Sequence, residues 1–211
     1  MTTSLDLPEP PHEWYPRRMA ERRDGAAKAY EEWLALGEGV RAEIVADSVV
    51  VLPRPTPEHA NIEGALSVLV GAPFHHDHGR GGPGGWFIFP EVDVRFARSD
   101  LVVPDLSGWR RERLPVPNVR PIDITPDWVC EILSPSNERH DRVWKANLYA
   151  KHGVKHYWVV DPAARVLEAF ALQHEGRWLR LGGWEESETA RIEPFEAVAI
   201  EVGRLFLPRE G

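Results

Sequence analysis

The chain has 211 residues, with 25 Lys+Arg against 33 Asp+Glu, for a formal net charge of −8. That length fits one domain of ordinary size, and no apolar run approaches the roughly 20 residues a membrane helix needs. The acidic balance excludes a broad basic coat for nucleic acid, which would need many phosphate-neutralising cations. Nine tryptophans and 19 prolines count against a simple helical bundle. The N-terminus lacks the basic-then-apolar order of a signal peptide, and a single cysteine cannot form an internal disulfide. Both suit a cytoplasmic protein.

Residues 1–19 read as a proline-rich arm, with Pro8, Pro10, Pro11 and Pro16, ahead of one domain over 20–211. From Ala20 to Leu36 the apolar residues Ala26, Ala29, Tyr30, Trp33 and Leu34 recur at helical spacing, and Gly37 ends the run. AEIVADSVVVLP reads as a β-hairpin turning at Asp47-Ser48. PRPTPEHANIEGALSVLVGA begins as a loop and becomes a helix carrying Ile62, Leu66, Leu69 and Val70. HHDHGRGGPGG, from His75 to Gly85, reads as a loop. WFIFPEVDVRF and LVVPDLSGW read as two strands around a turn at Ser99-Asp100, and DWVCEIL as a short apolar strand. A helix over ERHDRVWKANLYAKHG, capped within SPSN, leads to the strand KHYWVVDP. Strand, helix and strand in about 35 residues is the size of a βαβ unit. RVLEAFAL, RWLRLGGW and ARIEPFEAVAIEV read as an antiparallel meander whose exposed strands could pair between chains as a homodimer.

Two of these strands carry carboxylates where burial is expected. Asp105 follows LVVP, and Glu131 lies inside DWVCEIL. A buried ionised carboxylate is expensive unless it is paired or binds a metal. The alternative for Glu131 is a salt bridge or a half-buried strand. Lys145 shares a helical stripe with Asp141, Leu148, Tyr149 and His152, which leans it toward the sheet. Its alternative is an exposed Asp141–Lys145 pair. Asp, Glu and a nearby Lys suit metal-assisted phosphodiester hydrolysis: hard oxygen ligands hold Mg²⁺ or Mn²⁺, and a cation stabilises charge growing on phosphate.

At these residues the chain resembles a known family. VVPDL, PDWVCEILSPSN and DRVWKANLYAKHGVKHYWVVDP are similar to the signature of the Uma2 family, formerly DUF820, within the PD-(D/E)XK nuclease superfamily. AEIV and PRPTPEHANIEGAL resemble that family's Glu-bearing hairpin and His-initiated helix, so the likeness covers about residues 28–200. The resemblance implies an α/β, restriction-endonuclease-like mixed sheet flanked by helices, here with an N-terminal helix-hairpin and a C-terminal meander. It also implies a divalent-metal-dependent endonuclease acting on DNA, with Asp105 and Glu131 as metal ligands and Lys145 as base or charge stabiliser. The superfamily's usual acid-x-Lys would place lysine at position 133, which is Leu133 here, so Lys145 takes that role.

Glu43 is a further candidate, as a third carboxylate of the site or an edge-strand residue in water. His59 contacts phosphate or, on the simpler reading, caps its helix or is exposed. Asp93 is a weaker groove candidate. Arg110, Arg111, Arg113, Arg139 and Arg142 form either a phosphate-facing rim or ordinary solvated charge. The histidines of the glycine-rich loop are too close together to converge on a tetrahedral zinc. GRGGPGG lacks the endings of phosphate-binding loops. Cys130 points to the opposite face from Glu131 and reads as core. Trp128 and Trp158 read as core, while Trp86 and Trp109 pack or, less simply, stack on bases. Two further readings stand beside the nuclease: a non-catalytic nucleic-acid- or protein-binding module on the same scaffold, and a hydrolase of another phosphoester.

Overall fold

The computed structural model describes residues 14–37, 39–76, 82–115, 117–134 and 138–209, with side chains from Asp24 onward. Residues 1–13 of the expected arm, His78 and Ser136 lie outside the described residues. The described chain forms two compact units. One comprises residues up to Leu52 with Ala97–Leu101, and the other Pro53–Phe96 with Val102 onward. No helix among the described residues is long and apolar enough to cross a membrane.

In the first unit, helix α1 spans Trp14–Ala35, starting six residues before the expected Ala20. Pro16 is tolerated there because first-turn amides have no intrahelical partner. Strands β1 (Ala42–Val45) and β2 (Ser48–Val51) form the expected hairpin, and strand β5 (Asp100–Val102) pairs with β1 at Ile44↔Leu101. The hairpin turns one residue earlier than expected. Ala46 and Asp47 both take positive φ (48° and 62°), as a two-residue loop between right-twisted strands requires. Ala29 and Trp33 of α1 pack on Ala42, Ile44 and Leu101, and the Trp33 indole donates to the Ala42 carbonyl at 3.1 Å.

The second unit is built on a six-stranded mixed sheet. Its strands are β3 (Trp86–Pro90), β6 (Leu106–Arg110), β7 (Trp128–Ile132), β8 (His156–Asp161), β9 (Val166–Leu172) and β10 (Trp178–Glu185), in the order β10-β9-β8-β7-β6-β3. Only β7 and β8 are parallel, joined by a helical crossover as the βαβ spacing predicts. The two long strands expected between Trp86 and Trp109 are four. Glu91, at φ 47°, breaks the first into β3 and β4 (Val94–Ala97), and Pro104 parts β5 from β6. The meander also differs. Its first two strands extend the main sheet, but only Thr189–Ala190 (β11) and Ile200–Glu201 (β12) pair beyond it. Ile192 and Phe195 between them fill the core from turns.

The sheet is covered on both faces, and alternation along each strand decides which side chain goes where. Trp128, Cys130 and Ile132 of β7 and Trp158 and Val160 of β8 face helix α2 (Pro57–Leu66). Thr56 caps α2 by accepting the His59 amide at 3.3 Å, and Pro57 follows at the helix start. The helix runs on as a π-helix over Ser67–His76, past Pro73, so Ile62, Leu66, Val70 and Phe74 form one buried row. His75 and His76 therefore end a helix rather than open a loop. Val129 of β7 and Tyr157 and Val159 of β8 face α3 (Ala146–Lys151), which continues a π-helical turn over His140–Lys145. Gly153, at φ 78°, ends that helix as expected. Trp86 and Trp109 are buried, which removes them as base-stacking surfaces.

Candidate active site

The pairing of β6 with β7 runs Gly108↔Trp128, Ser107↔Val129 and Leu106↔Cys130. One further step in that register sets Asp105 against Glu131. Alternation puts Glu131 with Val129 on the α3 face, away from Cys130. Both carboxylates are buried, at 6% and 1% exposure. Asp105 accepts the Ile132 amide at 2.6 Å through Oδ2, and its Oδ1 lies 2.9 Å from His59 Nε2. A carboxylate can only accept, so His59 is the donor. Capping of α2 thus falls to Thr56, and the His59 ring has a different task from the cap or exposed group expected of it.

Lys145, on the last residue of the π-helical turn, is buried at 4% exposure. Its ammonium lies 3.2 Å from Glu131 Oε2 and 3.4 Å from Asp141 Oδ1. The exposed Asp141–Lys145 pair is excluded, since both residues are buried. The Tyr149 hydroxyl donates to the other Glu131 oxygen, and the Tyr157 hydroxyl to the Asp141 carbonyl at 3.1 Å. Burial, with Asp141 and Asp105 adding to it, pushes the Glu131 carboxyl well above its ordinary value against Lys145 and Tyr149. Burial likewise raises the Cys130 thiol and the Tyr157 phenol, and the surrounding carboxylates raise both further. Asp105, Glu131 and Asp141 thus lie near one buried ammonium, that of Lys145.

The other candidates are placed differently. Glu43 belongs to the first unit, on β1, and is buried at 1% exposure, so it is not a solvated edge residue. Asp93 pairs with the Arg120 guanidinium rather than with Asp105, Glu131 or Lys145. Arg142 is held by Glu138, Asp161 and Glu168 at 3.2, 2.9 and 2.8 Å. Arg113 pairs with Asp127. Arg111 donates to the His75 carbonyl at 2.7 Å and lies over the Phe87 ring. Arg110 sits over Trp86 and Arg139 is exposed. Most of the proposed rim therefore serves internal ion pairs and ring contacts. Asp141 and Tyr149 were visible in the sequence only as members of the Lys145 stripe. Their contact with that lysine and with Glu131 depends on how the crossover helix is rotated.

Among the described residues no three His, Cys, Asp or Glu side chains form a metal-binding group. Asp105 and Glu131 are nevertheless two buried hard oxygen donors on neighbouring strands, at positions that the β6–β7 register sets against each other. That donor set fits a Mg²⁺-type ion, which binds through one or two carboxylates and completes its shell with water and substrate oxygens.

Comparison with known proteins gives the family and the fold. The model of the Uma2 family, described as "putative restriction endonuclease", matches residues 27–203. Among solved structures, a crystal structure of a "putative nuclease belonging to DUF820" from Anabaena variabilis is similar with a TM-score of 0.64. It is 21% identical in sequence, over 84% of this chain and 97% of that one, and so shares the fold. A search of curated proteins finds no match. With the family model spanning well over half of the sequence, the chain belongs to the Uma2 family.

Proposed function

We propose that the protein is a divalent-metal-dependent endonuclease that hydrolyses phosphodiester bonds in DNA. The observation that carries this reading is the buried pair of carboxylates, Asp105 and Glu131, opposite each other with Lys145 alongside. Asp105 and Glu131 would hold Mg²⁺ or Mn²⁺. When bound, the ion supplies an acidified water and neutralises charge on the phosphate.

The chain's own residues do the positioning. His59 and the Ile132 amide each engage one Asp105 oxygen, which fixes that carboxylate across β6 and β7. Lys145 keeps an ammonium next to Glu131, and we assign it stabilisation of negative charge on the phosphate. Asp141 steadies that ammonium from one turn away. Asp93 as a groove residue and Arg110, Arg111, Arg113, Arg139 and Arg142 as weak phosphate contacts belong to the same proposal. Arg139 and Arg110 are the exposed members of that rim, Arg110 lying over the Trp86 ring.

A single domain over 20–211 and a cytoplasmic location complete the reading, the latter supported by one buried cysteine. The outer strand β10, with Leu179 half exposed, offers an edge for a homodimer, which the mass in solution would reveal. The competing reading, a non-catalytic binding module, has less support: a dead scaffold has no use for two buried carboxylates opposite each other. Calorimetric titration with Mg²⁺ or Mn²⁺ separates the two. A nuclease binds the ion and loses it in Glu131→Ala, whereas a dead scaffold shows no binding for that substitution to remove.

A further inference from the structure

We propose that Tyr149 is a positioning residue of this site, fixing Glu131 for the metal through Oε1 while Lys145 approaches Oε2. The inference rests on the metal-dependent reading above.

Glu131 has two different side-chain neighbours. Lys145 approaches Oε2, and the Tyr149 hydroxyl donates to Oε1. The two act on a metal site in opposite senses. The ammonium orients the carboxylate but carries a positive charge that competes with a cation for it. The phenol orients the carboxylate without that competition. A carboxylate offers about four lone-pair directions, so one hydrogen bond on each oxygen leaves acceptor capacity for a ligand.

The tyrosine is held rigidly enough for this task. It is fully buried, and its ring packs tilted against Phe96 at 6.0 Å and Tyr157 at 5.5 Å. Tyr157 is in turn tied to the Asp141 carbonyl, so the hydroxyl is aimed by packing on both sides. Tyr149 and Lys145 lie four residues apart and so on one face of the helical run. One rotation of that run therefore sets both partners of Glu131 at once. Hydrogen bonds to a ligating carboxylate of this kind are worth about 10–100-fold in metal affinity.

Tyr149→Phe removes the hydroxyl and leaves the ring, so the packing is kept. The probe is Mn²⁺ alone, titrated calorimetrically into the full-length protein, with the thermal midpoint measured alongside. The expected result is Mn²⁺ affinity about 10-fold weaker, with the midpoint within a few degrees of the parent. In a Glu131→Gln background the same substitution should leave whatever Mn²⁺ affinity persists unchanged. Equal affinity in parent and Tyr149→Phe would overturn this role and leave the nuclease reading standing. A parent protein that binds no Mn²⁺ would overturn that reading, and this role with it.

Discussion

Asp105 stands opposite Glu131, one register step beyond the Leu106↔Cys130 pair that ends the β6–β7 ladder. The Ile132 amide donates to Asp105 rather than to a strand carbonyl, so the carboxylate itself replaces the next rung of the sheet. That substitution explains how an acid is accommodated at 6% exposure, and it ties the site's geometry to the sheet's own hydrogen bonding.

Replacing the charge at Glu131 should stabilise the metal-free protein while removing its activity. Burial, Asp141 and Asp105 all disfavour the carboxylate, and Lys145 keeps Asp141 as a partner when Glu131 is neutral. We expect Glu131→Gln to gain about 1 kcal/mol, or ~2–4 °C in thermal midpoint without metal. A calorimetric scan of the two proteins in chelator checks this.

His59 should act through Asp105. His59→Ala is expected to weaken Mn²⁺ binding by about 10–100-fold, the usual loss when a ligating carboxylate loses its hydrogen-bond partner. His59→Gln, whose amide nitrogen can stand in for Nε2, should recover most of that loss. Titration of both variants with Mn²⁺ measures it.

Two carboxyls away from the site, Asp127 beside β7 and Glu168 on β9, contribute to acid stability. Burial would raise the Asp127 carboxyl, but the Arg110 amide, Lys155 and Arg113 outweigh it and hold the group below its ordinary 3.8. Glu168 is likewise held below 4.5, with Arg142 and Arg180 outweighing its burial. A depressed carboxyl binds fewer protons folded than unfolded. Its stabilisation is present above the ordinary value and is lost as pH falls through the folded one. Urea unfolding should therefore show stability dropping below about pH 4. The drop should be shallower in Asp127→Asn, which also costs about 1–3 kcal/mol at pH 7.

Gly108 on β6 leaves room for two indoles. A Cβ there would meet the Trp128 ring at 3.1 Å and the Trp86 ring at 3.4 Å. Both rings are buried against Phe195, so neither can give way cheaply. Gly108→Ala should cost about 1–3 kcal/mol by overpacking, read from the denaturant midpoint.

Much of the second unit was legible because alternation and capping are local. DWVCEIL and KHYWVVDP became β7 and β8 as read, and Cys130 and Glu131 took opposite faces. What was misread depended on single backbone positions. Positive φ at Glu91 and Ala46 split one strand and moved one turn, and neither residue type announces that conformation. The approach of Lys145 to Glu131 was legible from the helical stripe. The donor from His59 was not, because it joins residues 46 positions apart, through a helix whose placement on the sheet is a tertiary fact. The arginines misled for a related reason: charge is visible in sequence, but Asp161 and Glu168, which occupy Arg142, come from later strands.

Nuclease activity is measured by incubating the purified protein with supercoiled DNA and Mg²⁺ or Mn²⁺, with linear DNA and single-stranded RNA as parallel substrates. The expected result is nicking of DNA that chelator abolishes. Both Asp105→Asn and Lys145→Ala should lose at least about 100-fold in rate, ~2.7 kcal/mol of barrier. Nicking that survives chelator, or that is unchanged in those two variants, would contradict the metal-dependent nuclease reading.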